Sequence, residues 1–231
     1  MTRRITVDID PAAVARLILA GQAPPTAWVP YIVELRLERS YITDLRPLAG
    51  LSALRRLILT RSRIYELAPL ASLTGLRRLH LSYTAVRDLL PLAGMVELEG
   101  CFLTGSLVED IAPIGRLARL ERLDLGGTQI SDATPLQGLR NLRSLDLSGT
   151  RIRDLTPLIG LEKLQYLSIA ALPVSDFSPL AALRNLRWVD VRGTHGEISA
   201  ISRFGNCQII TTALRPQRVG RRNGERKAKV Q

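Results

Sequence analysis

A leucine motif returns every 22 residues in this chain, seven times without a slip. Leu54, Leu76, Leu98, Leu120, Leu142, Leu164 and Leu186 each open a unit patterned L-x-x-L-x-L-x-x-T-x-I-x-D-L-x-P-L. One unit reads Leu142, Leu145, Leu147, Thr150, Ile152, Asp154, Leu155, Pro157, Leu158. A fixed period this short is the mark of stacked coils, each of which leaves its leucines half covered until its neighbours finish the burial. The pattern extends backwards through Ile32, with Leu35, Leu37, Ser40, Ile42, Asp44, Leu45, Pro47 and Leu48. It degrades after Thr194, where Gly196 replaces an aliphatic residue. There Ile198, Ile201 and Phe204 are expected to carry a shortened coil, and residues 207–211 a final edge strand.

Within a unit, L-x-x-L-x-L alternates as a half-buried strand does. Coils in register align these strands as a parallel sheet with neighbours about 4.8 Å apart. The following P-L-x-x-L spaces apolar residues three apart. Its proline suits the first position of a helical turn, and Thr134, Thr156 and Ser178 precede it as expected caps. The expected fold is therefore an α/β solenoid: a parallel concave sheet of about eight to ten strands, with short helical turns on the convex side. Asp10 and Pro11 start, and Gly21 stops, an expected capping helix over residues 11–20, with Trp28 and Tyr31 closing the first coil. The chain divides into an N-terminal cap (1–31), the solenoid (32–212) and a basic tail (213–231) expected to be disordered.

Two polar ladders run along the units. Ser40, Ser62, Thr84, Ser106, Thr128, Thr150 and Thr194 are placed to satisfy backbone groups where the strand leaves the sheet, and Leu172, beside Pro173, predicts a local irregularity. Asp44, Asp88, Asp110, Asp132, Asp154 and Asp176, with Glu66, recur once per unit at a turn, which points to local hydrogen bonding rather than catalysis.

Composition narrows the function. The two histidines, His80 and His195, sit five strands apart, about 24 Å at the sheet spacing and too far to cooperate. No nucleotide-loop, zinc-protease or nucleophile-elbow motif occurs, and a solenoid offers a trough rather than a deep pocket. The chain reads as a non-enzyme with no cofactor and no metal site. As a cation site Asp124 and Asp146 offer only two neighbouring carboxylates in line, without a nearby His. Cys101 falls at a core position and is too far from Cys207 for a disulfide. With no apolar run of spanning length, and with Arg16 interrupting residues 12–20, the expected location is the cytoplasm. Arginine outnumbers lysine 29 to 3, a bias that suggests a GC-rich, bacterial genome.

These units resemble the leucine-rich repeat superfamily, and their D-L-x-P-L return segment is similar to its 22-residue internalin-like subclass. The match spans about residues 32–205. Where the family usually carries Asn at the ladder position, this chain has Thr or Ser, which alters loop hydrogen bonds and not the architecture. The resemblance implies a protein-recognition scaffold and says little about the ligand.

Same-numbered side chains should therefore form columns along one concave trough. The third position runs Glu34, Arg56, Arg78, Gly100, Arg122, Ser144, Tyr166, Trp188; the fifth runs Arg36, Ile58, His80, Phe102, Asp124, Asp146, Ser168, Asp190. The N-terminal half is basic with apolar patches and the C-terminal half acidic with two aromatics. Two partner-binding patches follow. One centres on Ile58, His80 and Phe102, ringed by Arg36, Arg56, Arg61, Arg78 and Tyr83, and suits an acidic protein segment. The other places Tyr166 and Trp188 beside Asp146 and Asp190, to receive a basic side chain. The expected function is a protein–protein interaction module, an adaptor or regulator. The alternative is nucleic-acid binding through Arg36, Arg39, Arg56, Arg61 and residues 215–231, whose seven basic side chains outweigh Glu225 for a net +6 out of a chain total of +11.

Overall fold

In each unit the residue between two outward side chains is a leucine or its equivalent, and it points into the stack. The computed structural model, which describes residues 9–196 and 207–211, contains nine three-residue strands built on this alternation. They are β1 (Glu34–Arg36), β2 (Arg56–Ile58), β3 (Arg78–His80), β4 (Gly100–Phe102), β5 (Arg122–Asp124), β6 (Ser144–Asp146), β7 (Tyr166–Ser168), β8 (Trp188–Asp190) and β9 (Gln208–Ile210). All pair in parallel and in chain order, forming one open sheet. The register follows the repeat: Leu35, Leu57, Leu79, Cys101, Leu123, Leu145, Leu167, Val189 and Ile209 stand opposite one another as one column. Each coil contributes the same inward set, for example Leu142, Leu145, Leu147, Ile152, Leu155, Leu158 and Leu161, none more than 2% exposed.

The convex side carries short 3-10 turns at Arg46–Leu48, Ala68–Leu70, Leu90–Leu92, Ala112–Ile114, Thr134–Gly138, Thr156–Leu158 and Ser178–Ala182. Proline is the second residue of every one, where a missing N–H leaves no bond unmade. The expected hydroxyl caps give way to a different device. The carboxylate two residues earlier accepts the first backbone N–H of the turn: Asp44 from Arg46, Asp88 from Leu90, Asp110 from Ala112, Asp132 from Thr134, Asp154 from Thr156 and Asp176 from Ser178. The short Asp side chain reaches this amide as an Asx turn, so Thr134, Thr156 and Ser178 become donors to the carboxylate rather than caps. These bonds hold Asp132, Asp154 and Asp176 below the usual carboxylate range.

The Ser/Thr ladder works as expected. Hydroxyls of Ser40, Ser62, Thr84, Thr128, Thr150 and Thr194 donate to the carbonyl three residues back at 2.6–2.8 Å. Ser106 is the exception, buried with its hydroxyl unpartnered. At Leu172 the expected irregularity is smaller than the sequence suggests. Ala171 keeps the φ of its equivalents, at 57°, and Leu172 N–H still bonds the Ile169 carbonyl at 3.2 Å, because the buried leucine fills the space with no need to move the backbone. What is lost is one rung. Ala85, Leu107, Gln129, Arg151 and His195 each donate a backbone N–H to the preceding coil, and Pro173 at the equivalent place has none to give.

The N-terminal end is closed by α1 (Pro11–Leu19). Asp10 caps it by accepting the Ala12 N–H at 2.9 Å, and Gly21, at φ 74°, ends it. Val14 and Ile18 join the same core as the leucine columns. Trp28 packs on that core, whereas Tyr31 does not close the coil: it is half exposed, on a 3-10 turn (Val29–Tyr31) that turns its ring outward. The expected coil of Ile198, Ile201 and Phe204, and the basic tail, lie outside the described residues. Among the described residues no helix is long and apolar enough to cross a membrane.

Candidate functional site

The sheet register makes the trough a set of aligned columns, with Arg56 opposite Arg78, His80 opposite Phe102, Asp124 opposite Asp146 and Tyr166 opposite Trp188. The column that leaves each strand, three residues on, is held left-handed throughout. Gly105, Gly127, Gly149 and Gly193 sit there at φ 64–72°, as glycine does at no steric cost. Arg39, Arg61, Tyr83 and Ala171 occupy the same conformation at φ 55–59° with a side chain in place. Three of those four strained residues border the basic half of the trough.

In that half, His80 and Phe102 stack with ring centroids 4.3 Å apart and planes 9° from parallel. Ile58 lies beside His80 and is nearly covered, at 9% exposure, so it forms the floor of the patch and is not a projecting anchor. The Arg61 guanidinium lies 4.9 Å from the centre of the Tyr83 ring, a cation–π contact that ties two strained positions together. Glu34 engages both Arg36, at 2.7 Å, and Arg56, at 3.7 Å. Burial first, then the nearby Arg56 and Arg78 charges, push the His80 imidazole below its ordinary value, so it is neutral at pH 7. Two nitrogens in this patch, Arg56 Nε and His80 Nε2, are buried without a partner. Gly100 interrupts the arginine column, and a hollow of about 100 Å³ above it is lined by Arg56, Arg78, His80, Phe102 and Arg122 together with Glu99 and Glu121.

The acidic half encloses a wider section of about 460 Å³, lined by Asp124, Asp146, Tyr166 and Trp188 among others. Asp124 accepts the Gly126 N–H at 3.1 Å and Asp146 the Ser148 N–H at 2.8 Å. Burial, above all, raises Asp124, against the opposing bonds from Thr104 and Gly126. Asp190 stands differently from its place in the column. It is buried, at 2% exposure, and Arg192 grips its carboxylate through two nitrogens at 2.6–3.1 Å. Its charge is already answered from within the chain, so Asp146 and Asp124 are the carboxylates this half presents.

The structure thus brings Arg56, Arg78, His80 and Phe102 together, with Arg36, Arg61 and Tyr83 along the rim, and sets Tyr166 and Trp188 side by side two strands beyond Asp124. Arg122 is the residue that sequence reasoning passed over; its sign was the glycine gap at position 100 with arginines on both sides. The D-x-R spacing of Asp190 and Arg192 was likewise readable, as it is in Asp44 and Arg46. Cys101 is wholly buried, and burial pushes its thiol up to about 12, which makes it a core residue and not a nucleophile.

Residues 140–182 match the family described as Leucine Rich repeats (2 copies). No curated protein matches the chain. Solved structures with the same architecture include internalin C2 from Listeria monocytogenes, 28% identical with a TM-score of 0.79, over 87% of this chain and 92% of that one. A second internalin (inlF) from the same organism is 20% identical with a TM-score of 0.62, over 87% of this chain and 74% of that one. A leucine-rich repeat protein from Leptospira interrogans is 21% identical with a TM-score of 0.65, over 71% of this chain and 44% of that one. The last two show the fold alone. With its in-register 22-residue coils, single parallel sheet and proline-started 3-10 turns, the chain has the leucine-rich repeat fold, and its solenoid is similar to that of internalin C2.

Proposed function

We propose that this chain is a non-enzymatic protein-binding module, an adaptor or regulator working in the cytoplasm, whose concave face grips an acidic segment of a partner along β1 to β4. Leucine-rich repeat folds generally mediate protein–protein interaction. The observation that carries the finer reading is the stacked His80–Phe102 pair on an apolar floor, with Arg56 and Arg78 beside it. An apolar centre with a charged rim is the arrangement of interface hot spots, in which flat rings supply area at little entropic cost and arginines fix register. Tyr166 and Trp188, with Asp146, form a second contact region for a basic side chain of the same partner.

The test is affinity recovery from the native cytoplasm with Arg56→Glu/Arg78→Glu, against Arg16→Glu/Arg119→Glu as a charge-matched control elsewhere on the surface. Reversing two charges at a hot spot should reduce partner recovery roughly tenfold or more, with the control unaffected. Equal recovery from both variants removes this patch from the account. Nucleic acid recovered in place of protein, and lost steeply with salt, would favour the alternative.

A further inference from the structure

Gly100 leaves a gap in a column of arginines, and Arg56, Arg78, His80 and Arg122 line the hollow above it. On β3 and β5, either side of β4, stand Arg78 and Arg122, one strand spacing of about 4.8 Å from the glycine on each side. Among the described residues neither guanidinium has a carboxylate within 4.0 Å. Glu99 and Glu121 also line the hollow, and their carboxylates pair with Arg77 at 3.6 Å and Arg143 at 3.9 Å. The buried Arg56 Nε, a donor, and the buried His80 Nε2 add two nitrogens that no protein group satisfies. Buried polar groups are rarely left without a partner, so an arriving anion would satisfy groups that the fold leaves open. A Cβ on Gly100 would stand 3.1 Å from Phe102 Cε2, so the glycine is what keeps the space open beneath the ring.

We propose that this hollow is an oxyanion subsite: one carboxylate or phosphoryl group on the partner's acidic segment enters above Gly100 and is held by Arg78, Arg122, Arg56 Nε and His80 Nε2. The inference rests on the basic half being the gripping surface and names the group it grips. Guanidinium forks and an imidazole together match the oxygens of a single planar or tetrahedral anion. Binding is tied to protonation. The charges facing His80 are Arg56 from β2, Arg36 and Glu34 from β1 and Arg78 from its own strand, while β4 contributes the uncharged Phe102 ring. Burial, and then three cations against one carboxylate, hold the imidazole below its ordinary value. An anion placed there reverses that balance, and the imidazolium, unlike the neutral ring, always carries an N–H at Nε2. The occupied site therefore takes up a proton and holds its anion more tightly as pH falls.

The experiment follows the His80 ring resonances of the full chain by NMR against pH, in sodium acetate, sodium phosphate and sodium chloride at equal ionic strength. Acetate or phosphate should raise the His80 midpoint by about half a unit or more above its value in chloride, and Arg122→Gln should weaken the anion's apparent affinity roughly fivefold or more. His80→Phe, which keeps the stack with Phe102, should weaken anion binding at pH 6 more than at pH 8. A rise with both anions identifies an unmodified acidic side chain as sufficient; a rise with phosphate alone identifies a phosphorylated one. Midpoints that coincide in all three salts, or an Arg122→Gln variant that binds as the parent does, overturn the subsite. Those results are independent of partner recovery, which can still depend on Arg56 and Arg78 when no small anion binds.

Discussion

At the scale of single residues, hydrogen-bond satisfaction separates side chains that share one ladder. The Thr150 hydroxyl is buried and donates to the Leu147 carbonyl at 2.8 Å, whereas the Ser106 hydroxyl is buried and unpartnered. Thr150→Val keeps the volume and removes the bond, so it should lower unfolding stability by about 1 kcal/mol. Ser106→Ala removes only an unsatisfied group and should be neutral or stabilising by up to about 1 kcal/mol. Denaturant melts of both variants check the contrast; a Ser106→Ala loss as large as that of Thr150→Val would show that the hydroxyl has an acceptor after all. The ladder itself was legible in the sequence because its position recurs. The identity of its outlier was not, since Ser40 and Ser62 carry the same side chain and do make the bond.

At the scale of the element, the turn leaving each strand sets a backbone that only some residues tolerate. The glycines at 105, 127, 149 and 193 were the visible sign that this position is left-handed, and the arginine, tyrosine and alanine at the same position in other coils concealed it. Ala171 carries the strain with no ring or charge to justify it. Ala171→Gly should therefore raise stability by about 0.5–1 kcal/mol, read as an increase in Tm. Unchanged or lower stability would mean that the left-handed turn costs alanine little here. The opposite misreading occurred on the convex side. Hydroxyls just before proline look like caps, yet the aspartate two residues further back reaches the amide first. Sequence spacing placed both groups at the turn, and only three-dimensional reach decides between them.

At the scale of the whole molecule, each coil touches only its neighbours, so stability is a sum of local units and interfaces. Strand columns and their order were legible because one period sets them all. Which charges remain available was less so: Asp190 and Arg36 belong to the expected patches, and each is engaged by a side chain two residues away whose orientation a period does not specify. The α1 cap seals one open end through Val14 and Ile18. Ile18→Asp, which buries a charge with no counter-ion at a site 1% exposed, should open the stack from that end. Hydrogen exchange is expected to rise in β1 and β2 well before β6 and β7; uniform loss of protection along the sheet would show that the coils unfold as one unit.

The register that aligns Leu35 through Ile209 also makes the trough a ruler graduated in whole coils. Duplicating or deleting one coil's worth of codons lengthens or shortens the groove by a single strand spacing while every side chain away from the junction keeps its neighbours. A gene built this way can retune the span between its basic and acidic ends in discrete steps, without rebuilding the core that supports either.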